Sequence, residues 1–182
     1  RDDHVRVAGN VVGPMLRRLT AKQLVLWWVS PRVCQGQLCC FLTADLSDEE
    51  KQLHSALIQH KSIYSAQFSD DNLSTFQVGE SAVIHLLDVN ITLPSDTCIE
   101  YDLLIEPFNS EINNQAGKAA TSNLDSDKLP LCLVDIIPHL TYDSNLRPSF
   151  IVHSTLNNVL HGSCRNPHHS SQDNLVAGVT LH

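Results

Sequence analysis

The chain has 182 residues, 42% hydrophobic and 18% charged, with 7 Gly and 8 Pro, a composition that fits a folded globular protein and excludes collagenous and disordered classes. Lys plus Arg number 12 against 20 Asp plus Glu, a formal net charge of -8, so there is no basic footprint for a phosphate backbone and nucleic-acid binding is not expected. No apolar run approaches the roughly 20 residues that span a bilayer, and the start "RDDHVRVAGN" has no leader or cleavage pattern, although without an initiator Met an upstream export signal stays open; a soluble chain with no membrane span is expected, its compartment unknown, with cytoplasmic favoured over exported.

The apolar runs are short and rich in β-branched and aromatic residues, which predicts strands over helices. "QLVLWWVS" puts Leu24, Leu26 and Trp28 on one face and Val25, Trp27 and Val29 on the other, as expected of a central strand covered on both sides. "VCQGQLCCFLT", "SIYSAQF", "SAVIHLLDVNI", "TCIEYDLLI" and "LCLVDII" continue the series, and six or seven such runs predict a mainly β fold. The expected form is an antiparallel β-sandwich of immunoglobulin or fibronectin type III character. Between strands, "DLSDEEKQLHSAL" opens with Ser47 followed by Glu50, the capping-box pattern of a short helix. "PFNSEINNQAGKAATSNLDSDKLP", residues 107–130, is polar and long, and predicts a mobile surface loop.

Six cysteines, Cys34, Cys39, Cys40, Cys98, Cys132 and Cys164, form no CxxC pair, so reduced and mostly buried thiols are expected. Adjacent Cys39 and Cys40 would point to opposite faces of a strand. Trp27 and Trp28 suit core or interface packing better than a ligand platform, and His85 and His139 suit structural roles. The patterns "NLS" at Asn72 and "NIT" at Asn90 match glycosylation acceptors but are short enough to arise by chance. Asp2, Asp3 and His4 in "RDDHV" lie before the strands, and chance likeness to a metal motif at an exposed terminus is the reading there.

After "LRPSFIV" strand signals fade. "HGSCRNPHH" then gathers His161, Cys164, Arg165 and His168, and beyond it Leu175, Val176 and Val179 suggest a helix opening near Ser171 to Asp173. Thiolate and imidazole donors at His161, Cys164 and His168 suit zinc or iron, yet by spacing alone a polar turn with one half-buried cysteine is the better reading. Neither Ser163 nor Cys164 stands in a nucleophile signature. Arg165 suits a phosphate or carboxylate, with the following helix N-terminus adding donors.

In this setting "HGSCRNPH" resembles the junction of the PhoD-like (alkaline phosphatase D) metallophosphatase family. "VVGPMLRRLTAKQLVLWWVS", "VGESAVIHLLDV", "EYDLLI" and "PSFIVHSTLNNVLHGSCRNPH" resemble the family's first strand pair, sandwich end and junction, so the likeness covers most of residues 11–182. It implies a β-sandwich over 1–157, with the mobile loop near 107–130, and the beginning of a truncated α/β metallophosphatase domain over 158–182. It also implies that Cys164 ligates a metal, with His161 and His168 as weaker ligand candidates and Arg165 as the catalytic, phosphate-contacting candidate. The intact enzyme would use iron, with calcium or another divalent metal as further options, to hydrolyse phosphate mono- or diesters. The family's aspartate, asparagine and histidine motifs further downstream do not follow Cys164 here, so no stably bound metal and no activity are expected of this chain. The alternative is a non-enzymatic β-sandwich binding or interaction module. Oligomeric state does not follow from the sequence.

Overall fold

The structure, a computed structural model, describes residues 12–106, 129–137, 140–141 and 146–155. Those residues are mainly β, arranged as two antiparallel four-stranded sheets. The strands are β1 (Val12–Thr20), β2 (Gln23–Ser30), β3 (Gly36–Leu42), β4 (Tyr64–Gln67), β5 (Leu73–Val78), β6 (Ala82–Asn90), β7 (Cys98–Ile105) and β8 (Ser149–Ile151). One sheet has the order β1-β2-β6-β5 and the other β4-β3-β7-β8.

Period-two patterning explains how the sheets meet. Leu24, Leu26 and Trp28 of β2, with Leu87 and Val89 of β6, form one buried cluster with Leu38 and Cys40 of β3 and with Ile99, Tyr101, Leu103 and Ile105 of β7. The two sheets therefore share a single core, in a sandwich-like arrangement. Trp28 lies at its centre, fully buried, stacked on His85 with ring centroids 4.9 Å apart and tilted against Phe68 at 5.6 Å. Register follows from the pairing Trp28 with His85 and Leu26 with Leu87. A one-residue slip would turn this whole apolar row to the opposite face.

At the start of β3, Gly36 adopts φ +151 and pairs with Ile105. A Cβ there would collide with the Leu104 carbonyl oxygen, so only glycine allows β3 to approach β7 so closely.

The outer face of the second sheet is covered. Cys39 and Phe41 of β3 and Leu104 of β7 pack beneath Leu46, Ala56 and Ile58 of the β3–β4 connection and Cys132 and Val134. That connection contains α1 (Asp48–Lys51), closed by the expected capping box: Glu50 N-H donates to Ser47 Oγ, and Ser47 N-H donates to the Glu50 carboxylate. The cover is completed by α2 (Leu133–Ile136). Cys39 and Cys40 do face opposite sides, one under the cover and one in the inter-sheet core. The described cysteines are free thiols; Cys98 is half-buried and Cys34, Cys39, Cys40 and Cys132 are buried.

Three elements differ from the sequence reading. "LCLVDII" is not a strand: only Leu131 makes a bridge, to Ile105, after which the chain turns into α2 because Asp135 reaches back to accept the Cys132 N-H at 2.9 Å. β5 was not anticipated, because "LSTFQV" offers few inward apolar residues and Phe76 and Val78 point outward. β2 is buried fully on one face only. On the other, Trp27 and Val29 are half-buried within a row that runs through Val12, Ile84 and Phe76, where Val12 is 52% and Phe76 56% exposed. Residues 107–128 of the predicted mobile loop lie outside the described residues.

Candidate functional site

His161, Cys164, Arg165 and His168 lie outside the described residues, as do His139, Leu175, Val176 and Val179. What is described is the approach to them. Beyond β8, Val152 is buried and its carbonyl accepts the Asp96 N-H at 2.7 Å, while Asp96 Oδ1 accepts the Ser154 N-H at 3.0 Å. Asp96 is the described non-glycine residue with positive φ, at 56°, and this conformation lets one residue grip the departing chain with both backbone and side chain. The Ser154 side-chain and backbone hydrogen bonds hold its carboxyl below the ordinary aspartate value. The exit toward His161 is thus tied to the β6–β7 connection.

Polar chemistry among the described residues concentrates under the cover of the second sheet. On the outer face of β7, Glu100 and Asp102 alternate with the inward apolar residues and are both buried. Buried carboxylates demand partners, and each finds them on the cover. Asp102 accepts the Ser55 hydroxyl at 2.5 Å and the Leu133 N-H at 2.9 Å, so one side chain clamps both pieces of the cover. Burial pushes its carboxyl up to about 6, although the Ser55 hydroxyl, the Leu133 and Leu103 backbone and the Arg147 charge all pull the other way.

Glu100 pairs with Arg147, whose Nε donates to Glu100 Oε2 at 2.7 Å in an ion pair buried on both sides. The remaining guanidinium nitrogens donate to the carbonyls of Leu53, Glu50 and Lys51 at 2.9, 3.3 and 3.2 Å. These carbonyls lie in the last turn of α1 and just after it, and that of Glu50 also accepts the Leu53 N-H at 3.1 Å. Arg147 also sits 5.5 Å from the Phe41 ring centroid. Glu100 Oε1 has no partner among the described residues.

Beside these lies a trio from both pieces of the cover: His54, Cys132 and Asp135. His54 Nε2 stands 3.0 Å and Cys132 Sγ 3.2 Å from Asp135 Oδ2. Ala56 N-H donates to His54 Nδ1 at 3.2 Å, which places the imidazole proton on Nε2, facing the carboxylate. Burial, then the charges of Asp102 and Asp135, push the Cys132 thiol up to about 12, so it carries no thiolate at neutral pH. Burial also pushes Asp135 upward, but the Cys132 N-H, its thiol and His54 outweigh this and hold it below its ordinary value. The carboxylate, not the imidazole, stands between the other two groups. A nucleophilic Cys–His pair needs the imidazole against the sulfur, so without a bound ion this trio does not activate Cys132.

Sequence reasoning missed the trio. Cys132 and Asp135 stand at capping-box spacing, but a cysteine in the capping position gives little signal, and His54 is 81 positions from Asp135. His85 matches its expected structural role: buried, it accepts the Cys34 N-H at Nε2 at 3.0 Å, and burial lowers its pKa. Its Nδ1 finds no well-aligned acceptor. Asn72 is already engaged, with Oδ1 accepting the Ser69 N-H and Nδ2 donating to the Gln67 carbonyl. A glycan on that nitrogen would break the second bond.

No helix among the described residues is long and apolar enough to cross a membrane. Comparison of the chain with protein-family models, with curated proteins and with solved structures gave no match.

Proposed function

We propose that the chain is the N-terminal portion of a PhoD-like phosphatase: an immunoglobulin- or fibronectin type III-like sandwich that hands the chain to the first metal-binding motif of a hydrolase domain. The strand order carries the fold part of this reading. Lettered along the chain as A, B, C, C′, D, E, F and G, the sheets are A-B-E-D and C′-C-F-G, which fits the immunoglobulin-type arrangement with an added C′ strand. The free cysteines favour the fibronectin-like variant, which has no inter-sheet disulfide.

The observation that carries the functional part is the anchored exit. β8 leaves the sheet under the grip of Asp96, and "HGSCRNPH" follows shortly after in the sequence. The donor chemistry of Cys164, His161 and His168 fits iron or zinc, whereas calcium prefers oxygen ligands and is not served by these three. Metals in such an enzyme supply a nucleophilic water and stabilise charge on the phosphate. Arg165 would bind and orient the phosphate group. One cysteine with neighbouring histidines does not complete a two-metal set, so on this reading no turnover is expected of these 182 residues alone.

The test compares this chain with the product of the full reading frame. The full product should hydrolyse chromogenic phosphate mono- or diesters in a metal-dependent manner that Cys164→Ala abolishes, while the 182-residue chain with iron, calcium or zinc should not. A stop codon directly after His182, or Cys164-dependent turnover by the short chain, overturns the proposal.

A second reading, a binding module, is favoured by the outer face of the first sheet. There Val12, Met15, Phe76 and Val78 are about half exposed, around half-buried Trp27, Ile84 and Leu86. Such a contiguous apolar face suits contact with another surface.

A further inference from the structure

Among the described residues, the trio under the cover offers three different donors at ligand range, and the phosphatase reading makes no use of it. His54 Nε2, Cys132 Sγ and an Asp135 carboxylate oxygen all lie within 4.8 Å of one another. The two closest separations, 3.0 and 3.2 Å, are near the roughly 3.5 Å edges of a zinc tetrahedron built from bonds of about 2.0–2.3 Å. We propose that His54, Cys132 and Asp135 bind one zinc ion, with water in the fourth position.

Three features beyond the distances support this. The donor set of one sulfur, one imidazole nitrogen and one carboxylate oxygen is the borderline-soft mixture that zinc accepts. A thiolate and a carboxylate cancel the two charges of the ion, so the half-buried site stays neutral, and buried Asp102 adds negative potential from below. The site is also reachable, because Asp135 is exposed and the His54 side chain retains 21% exposure.

The proton balance is simple. Cys132 Sγ gives up its proton to solvent as the S–Zn bond forms, and the imidazole moves its proton from Nε2 to Nδ1 to free the lone pair that binds. One proton is released per ion, so affinity rises with pH. The change costs the 3.2 Å hydrogen bond from Ala56 N-H, a long contact within one loop. In return the ion joins the β3–β4 connection, through His54, to the 131–137 segment, through Cys132 and Asp135. It acts as a staple across the two pieces of the cover.

The test is a titration of the 182-residue chain carrying Cys164→Ser with cobalt(II), then zinc, so that "HGSCRNPHH" supplies no thiolate. The expected result is one equivalent of cobalt with intense tetrahedral visible bands and a thiolate charge-transfer band, displaced by zinc, with a zinc-dependent rise in Tm. Cys132→Ser should abolish the charge-transfer band. In case that buried substitution unfolds the chain, His54→Gln and Asp135→Asn, both toward the surface, should each weaken zinc by roughly 10- to 100-fold or more with far-UV dichroism unchanged. A band absent from the Cys164→Ser chain, surviving in Cys132→Ser, or insensitive to both surface variants overturns the proposal. None of these results bears on the phosphatase reading, which rests on Cys164.

Discussion

Replacing Asp102 by Asn tests whether the carboxylate under the cover is held against its preference. The free carboxyl titrates near 3.8, and burial on β7 moves it to about 6 despite the Ser55 and Leu133 hydrogen bonds. Between those values the folded protein keeps a proton that the unfolded chain has released. The contribution of Asp102 to stability is therefore fully present below pH 4, falls as pH rises through the window, and is lost above pH 6. The gap corresponds to about 3 kcal/mol. An amide preserves the local bonding, because its oxygen accepts the Leu133 N-H and its nitrogen donates to a reoriented Ser55 hydroxyl. Asp102→Asn should therefore match the parent near pH 4 and exceed it by up to about 3 kcal/mol above pH 7. The assay is urea unfolding followed by tryptophan fluorescence at several pH values, comparing midpoints at constant m. Other groups titrate in both proteins and cancel in the difference. Parallel pH profiles, or a variant that is uniformly less stable, would refute the reasoning.

The buried ion pair gives a second case. Arg147→Met should cost about 3–5 kcal/mol in urea unfolding, because Glu100 is left charged and buried and three carbonyls lose a donor. Arg147→Met with Glu100→Leu should regain much of that loss; a double variant that loses the sum of the two single costs would show that the pair is not coupled. For α1, Ser47→Ala should cost about 1 kcal/mol through its cap. Hydrogen exchange should quicken in residues 47–53 and leave β2 unchanged, and a protein-wide effect would mean that α1 is integral to the core.

The paired sheets were legible because their residues alternate. "QLVLWWVS" and "SAVIHLLDVNI" assign core faces without further information, and the capping box at Ser47 and Glu50 marks α1. Cys39 and Cys40 followed from the same period of two. "LCLVDII" misled because an apolar run of that length suits a buried strand or a buried turn equally. Its conformation is decided by Asp135 and by the end of pairing at Ile105, which are tertiary facts. β5 was hidden because an edge strand with an open outer face needs few apolar residues facing inward. The trio His54, Cys132 and Asp135 and the pair Glu100 and Arg147 join segments far apart in the chain, and periodicity carries no information about such meetings. The cluster that the sequence did offer, His161, Cys164, Arg165 and His168, lies outside the described residues.

The placement of the polar groups has a physical logic. The inter-sheet core is specified by apolar interdigitation and contains few polar side chains among the described residues, His85 at Trp28 and Ser30 at Cys34 being two of them. Among the described residues the cover contains little regular structure, α1, α2 and short 3-10 turns, so apolar contact alone would allow it to settle in several ways. Directional bonds remove that freedom. Asp102 accepts from Ser55 on one piece and Leu133 on the other, and Arg147 donates to carbonyls at the end of α1 and just after it. Arg147 also directly precedes Pro148, whose carbonyl accepts the Tyr101 N-H as β8 begins. The residue that fixes the cover thus lies at the entry to the strand that leads out toward Cys164. Loosening Arg147 should therefore disturb the cover and the β8 exit together, and both should gain hydrogen exchange in Arg147→Met while β2 and β6 stay protected.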